Sequence, residues 1–237
     1  MRYAQHAPVP AIDASVDERA AFIVRTYAHL AGAMAAFVAI EAGLFLFAPD
    51  VVELLVSIAF MNRFSWLIFL GGFMAVSWVA DRWARGSASQ GMQYAGLGLY
   101  VVAEAILFVP LIFLVAFALE APDILPKAGV ITLVLFGGLT GVVFITRKDF
   151  SFLKGILGVA GLAAIGIIVA SILFGFSLGS FFAGAMILLA GGYIIYTTSN
   201  ILHHYDTRQH VAASLALFAS VALLLWYVIV LLSNRRS

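Results

Sequence analysis

Seven long, nearly uninterrupted apolar stretches constrain this chain more than any other feature. They run roughly over Thr26–Phe47, Phe64–Ala80, Tyr94–Leu119, Gly129–Ile145, Gly155–Phe174, Phe181–Thr198 and Val211–Leu232. A bilayer core about 30 Å thick is crossed by a helix of about 20 mainly apolar residues. The stretches are continuous rather than alternating, so they read as helices and not barrel strands. A helix also bonds its own backbone polar groups, as hydrocarbon requires. Hydrophobic residues are 64% and charged residues 11% of the 237, against about 45–50% and about 25% in soluble domains. A soluble globular enzyme and a disordered chain are both excluded. The expected fold is all-α, a polytopic transmembrane bundle of seven helices over residues 24–233. A polar N-terminal segment, 1–23, precedes it.

The connections are short and polar: Arg82–Gln93, Glu120–Lys127, Thr146–Leu153 and His203–Gln209. Gly175–Gly179 is the weakest boundary; without that turn the fifth and sixth spans fuse. Val51–Met61 is apolar but short and carries Glu53. It reads as an interfacial or loop helix, the alternative being an N-terminal extension of the second span. The first apolar run is full length and contains Glu41, so it reads as a retained span and not a signal peptide. Lys and Arg favour the cytoplasmic side. Arg2, Arg19, Arg25, Arg82, Arg85, Arg147, Lys148, Lys154 and Arg208 share the N-terminal side, while Arg63, Lys127, Arg235 and Arg236 lie opposite. This places the N-terminus in the cytoplasm. The net charge of +1 offers nothing to a nucleic acid. With no cysteine, thiolate metal sites and thiol nucleophiles are out.

Helices in lipid associate through small residues. Gly137 and Gly141 form a GxxxG pair; Gly155, Gly158 and Gly161 with Ala160 and Ala164, and Gly184, Gly191 and Gly192, mark two further small-sided helices. These read as packing faces, with local helix opening as the alternative. Pro110 removes the bond to the Ile106 carbonyl and should kink the third span.

Glu41 and Glu104 are the two acidic residues within spans. An ionised group at mid-bilayer costs at least about 2.5–3.5 kcal/mol, so such a group is paired, protonated or functional. At 1.5 Å per residue Glu41 lies about 22 Å along its span and Glu104 about 15 Å, a depth difference of about 7 Å that tilt could close. Together they would form a cation or proton site. The alternative is two protonated or hydroxyl-bonded carboxyls, or Glu41 reaching the interface. His203, His204, Asp206 and His210 cluster around the last connection. Histidine and carboxylate can hold zinc, but this spacing matches no closed site and a solvated loop is the simpler reading. His29 reads as an interfacial or hydrogen-bonded residue. No phosphate-binding loop, nucleophile elbow or HExxH is present, so neither an enzyme nor a bound cofactor is expected.

Two segments resemble the Bax inhibitor-1/YccA family. One is Thr146-Arg-Lys-Asp-Phe-Ser-Phe-Leu153 before the glycine-rich fifth span. The other is Tyr196-Thr-Thr-Ser-Asn-Ile201, followed by the histidine loop and a seventh span through Ser214-Leu215. Arg25-Thr26-Tyr27 and Pro110 fit as well. The resemblance covers about residues 20–232 and implies a seven-helix bundle with the last helix near the centre. It also implies a bacterial inner-membrane home. Eukaryotic members suppress cell death and leak calcium, some bacterial members conduct calcium in a pH-sensitive way, and the YccA type modulates the membrane protease FtsH.

The positions matching the acidic pair of the leak members are Thr197 and Phe218 here. Two close aspartates can share a proton and sense pH; threonine and phenylalanine cannot. The arginine that latches the pair in leak members matches Arg82 approximately. Two functions stay open. One is a calcium or cation leak with an absent or non-standard pH sensor, calcium being cargo. The other is a non-conducting regulator that binds a membrane partner such as an FtsH-type protease. The lipid bilayer is the partner that the residues themselves require.

Overall fold

The computed structural model describes residues 10–86 and 89–235. Arg2 and Arg236, counted in the charge balance, lie outside them. Eight α-helices follow in order among the described residues: α1 (Val16–Phe47), α2 (Pro49–Phe60), α3 (Ser65–Arg85), α4 (Gln90–Phe113), α5 (Ile124–Thr146), α6 (Leu153–Phe174), α7 (Gly179–His203) and α8 (His210–Ser233). All but α2 are long and apolar enough to cross a bilayer. The seven-span all-α reading therefore holds.

Helix α1 begins ten residues before the apolar stretch that announced it. Ser15 starts it with a capping box: its hydroxyl accepts from the Glu18 N–H at 3.3 Å while the Glu18 carboxylate accepts from the Ser15 N–H at 3.2 Å. Counting apolar residues finds the part of a helix in lipid and misses a polar first turn outside it. Pro49 separates α1 from α2, where a proline at the first helical position costs no backbone bond. Val51–Met61 is thus a helix of its own and not an extension of the second span. Gly175 and Gly179 both adopt positive φ and break α6 from α7, so the two spans do not fuse. After Pro110, α4 winds into a π-helical turn over Leu114–Ala118.

Helix α8 is the centre of the bundle: 56% of its apolar window is buried, against 11% for α3 and for α6. It packs on α1, α3, α4, α5 and α7. Because lipid is as apolar as Leu, contact density decides what packs inside. An aromatic set forms that interior. Phe108 meets Phe37 and Trp226, each at 5.0 Å and edge-on, while Phe218 meets Phe37 at 6.1 Å and Tyr100 at 6.0 Å.

The small-residue faces are used differently from the sequence expectation. A methyl group on Gly137, Gly141, Gly155, Gly158 or Gly184 would meet nothing within 4 Å. Close approach occurs at Gly161 (2.7 Å to the Tyr193 hydroxyl), Gly191 (3.2 Å to Leu139) and Gly192 (2.7 Å to Leu157). The tightest is Gly96, where α4 crosses α3 with 2.6 Å to the Ala80 carbonyl and 2.9 Å to the Ala84 nitrogen. No GxxxG spacing marks Gly96, so the motif did not reveal it.

Candidate functional site

The helix ends carrying Arg85, Arg147, Lys148, Lys154 and Arg208 converge on one end of the bundle, called the basic end here. Residues 10–15 fold back over that end: the Ala11 N–H donates to the Tyr205 carbonyl at 2.8 Å, and Pro10 bridges Asp206. Between α3, α4, α6, α7 and α8 runs a cleft of about 1020 Å³, from Asp81 and Arg85 at the basic end to Trp66 and Asn234 at the other. Helices α3 and α6 form its rims and scarcely touch.

Glu104 lies on the wall of this cleft, 5% exposed, with one carboxyl oxygen lacking a hydrogen-bond partner. The Tyr100 hydroxyl, one turn along α4, faces both Glu104 and Ser77 of α3. One turn beyond Ser77, Asp81 accepts from Arg85 Nε at 2.6 Å. Glu104, Tyr100, Ser77, Asp81 and Arg85 thus form a polar strip along a mainly apolar cleft. Asp81, one residue past the expected end of the second span, adds a third carboxyl to the helical part of the bundle that lines the cleft. Helix α3 continues to Arg85, past the last uninterrupted apolar residue.

Glu41 is buried at 6% exposure, and neither carboxyl oxygen has a partner. It does not line the cleft. Phe37 of α1 packs against Phe108 of α4. Glu41 lies one turn beyond that contact and Glu104 one turn before it, about 12 Å apart along parallel axes. The fold therefore sets the two carboxyls on different levels, with Glu104 alone of the two on the cleft. Register is what separates them; depth counted along each span left about 7 Å that tilt could have closed.

Arg82 projects to the exterior, its guanidinium over the Trp78 ring at 5.5 Å. Arg85, its side chain 49% exposed, borders the cleft's basic end, 5.9 Å from the Tyr205 ring. Of the two arginines, Arg85 and not Arg82 lines the cleft, three residues further along α3. Thr197 is buried and lines the cleft, whereas Phe218 belongs to the aromatic interior.

The histidine loop disperses its side chains. His203 pairs with the Ser199 carbonyl at 2.8 Å, His204 with Asp149 at 3.2 Å, Asp206 with Arg208 at 3.0 Å, and His210 packs on His29 at 5.0 Å. Among the described residues no group of three metal-ligating side chains converges. His29 itself bonds the Arg25 carbonyl at 2.6 Å and the Tyr94 hydroxyl at 3.1 Å. The Thr146–Leu153 loop is tied to α7 by the Phe150 N–H donating to the Ser199 hydroxyl at 2.8 Å. A buried hydroxyl group was missed from the sequence: Tyr27 of α1 faces Thr198 of α7 and Thr140 of α5.

The Ser151 N–H, assisted by His204, holds the Asp149 carboxyl below its ordinary value of 3.8. A carboxylate held low contributes stability above its unfolded value and loses it only as pH falls through the native one. Amide exchange at Phe150 and Ser151 is therefore expected to show no added opening between about pH 7 and about pH 5, once the intrinsic rate is corrected. Added opening in that window would contradict the assigned charge.

Membrane-length helices around one cleft define a polytopic integral membrane protein. The sequence model of the family described as "Inhibitor of apoptosis-promoting Bax1" matches residues 19–237, and the chain belongs to this Bax inhibitor-1/YccA-like family. That is not a family of enzymes. Over 100 residues the chain is 30% identical to an uncharacterized protein of Pseudomonas aeruginosa, covering 42% of this chain and 45% of that one. The chain thus matches under half the length of that relative.

Proposed function

We propose that this protein passes cations, calcium among them, along the cleft between α3, α4, α6, α7 and α8. On this reading it sits in a bacterial inner membrane with the basic end in the cytoplasm. The observation that carries it is Glu104: a carboxyl with an unpartnered oxygen, buried on the wall of a cleft that reaches both ends of the bundle. A carboxylate left alone at that depth is costly unless a proton or cation joins it. Ser77, Tyr100 and Asp81 extend oxygen ligands from it toward the basic end, and oxygen is what calcium takes. Thr197 in place of an acid leaves no proton-sharing pair, so conduction would lack the steep acid-dependent switch of leak members. Calcium flux into proteoliposomes is the test. Glu104→Gln is expected to cut it about tenfold or more with folding retained, and unchanged flux would remove the proposal.

The second reading is a non-conducting regulator that binds a membrane partner such as an FtsH-type protease. It is favoured by the unfilled small-residue faces on α5 and α6, where Gly137, Gly141, Gly155 and Gly158 leave room for another helix. Partner recovery without flux would select it.

A further inference from the structure

A second cavity of about 470 Å³ adjoins the cleft at the basic end. Arg85, Tyr196, Thr197 and Ala216 line both, so the two form one continuous hollow. Its halves differ in chemistry. The smaller one carries Lys154, which makes no ion pair among the described residues, the Asn200 amide, and Arg85, whose Nε holds Asp81 at 2.6 Å while the guanidinium also lines this cavity. The larger one is lined mainly by aliphatic and aromatic side chains, such as Ile165, Ile168 and Ile172 of α6 and Leu223 of α8.

We infer that this hollow is a binding site for one anionic phospholipid, its headgroup phosphate between Arg85 and Lys154 and an acyl chain in the cleft. The charge lies at a helix-end level, where headgroups sit, and the apolar part lies at the level of hydrocarbon. An acyl chain against α6 and α7 closes the gap between the rims that the protein leaves open. The acyl chain lies along the α6 and α7 wall, opposite the polar strip on α3 and α4, and so narrows the path proposed for cations; lipid retention is read without flux and is tested separately from that reading. A bilayer supplies the ligand, and cations near an anionic surface supply the preference.

The experiment is native mass spectrometry of detergent-purified full-length protein, incubated with equal phosphatidylglycerol and phosphatidylcholine. One retained phosphatidylglycerol is expected, preferred about tenfold or more. Lys154→Gln, an exposed change, should lower the preference about fivefold, as one surface cation does. Arg85→Gln should act similarly. Ile168→Trp, which fills the apolar part, should reduce retention of both lipids. Equal retention of the two lipids, or a preference untouched by Lys154→Gln, means annular lipid only and overturns the inference. Displacement by free glycerol phosphate as effective as by the lipid overturns the acyl-chain half and with it the site.

Discussion

Gly96→Ala is expected to destabilise the bundle by about 2–3 kcal/mol, the size of an overpacked core substitution that the backbone must absorb. The added methyl would stand 2.6 Å from the Ala80 carbonyl and 2.9 Å from the Ala84 nitrogen. Both are backbone atoms of a neighbouring helix, so no rotamer change relieves the clash and α3 must move off α4. Gly137→Ala and Gly141→Ala, with open space at the new methyl, should stay within about 0.5 kcal/mol of the parent. Thermal unfolding in one detergent compares the three. A Gly96→Ala midpoint equal to that of Gly137→Ala would show that the α3–α4 crossing is looser than described. The crossing also positions the strip, since Ser77 and Asp81 come from α3 and Tyr100 and Glu104 from α4. Calcium flux should therefore fall in Gly96→Ala under conditions where the protein stays folded.

Phe108→Ala should cost about 3 kcal/mol or more. Phe108 is fully buried and packs edge-on against Phe37 and Trp226. Since lipid solvates an apolar ring well, the loss is chiefly of packing contacts and not of transfer from water. Phe117, 59% exposed on the π-helical turn, is the comparison. Phe117→Ala should cost under about 1 kcal/mol, because lipid replaces much of what the ring touches. Equal midpoints for the two variants would argue against an aromatic interior centred on α4 and α8.

Much of the architecture was legible without coordinates, for one reason: a membrane span must satisfy its backbone within itself and present apolar side chains over a set length. That constraint is local. It sufficed for seven spans and for the break at Gly175–Gly179, and it made Val51–Met61 too short to count. The capping box at Ser15–Glu18 was equally local and readable, though it lay in a segment judged only by its polarity. The candidate site was legible in residue type and not in arrangement. Glu104 stood out because a carboxylate is costly in lipid wherever it sits. Asp81 did not, because it lies just past the uninterrupted apolar run of α3 and pairs with Arg85.

By itself the sequence determined that this chain is a multi-span helical membrane protein of the Bax inhibitor-1 type, with few polar groups to do its work. Tertiary structure alone decided which of those groups meet. Register along parallel helices keeps Glu41 about 12 Å from Glu104. Three residues' rotation about α3, about 300°, brings Arg85 to the cleft and leaves Arg82 off it. Close approach at Gly96, and not at Gly137 and Gly141, sets where two helices touch. Each depends on the mutual rotation and offset of two helices, which arise from side chains interlocking across the pair and leave no mark on either helix's own apolar pattern.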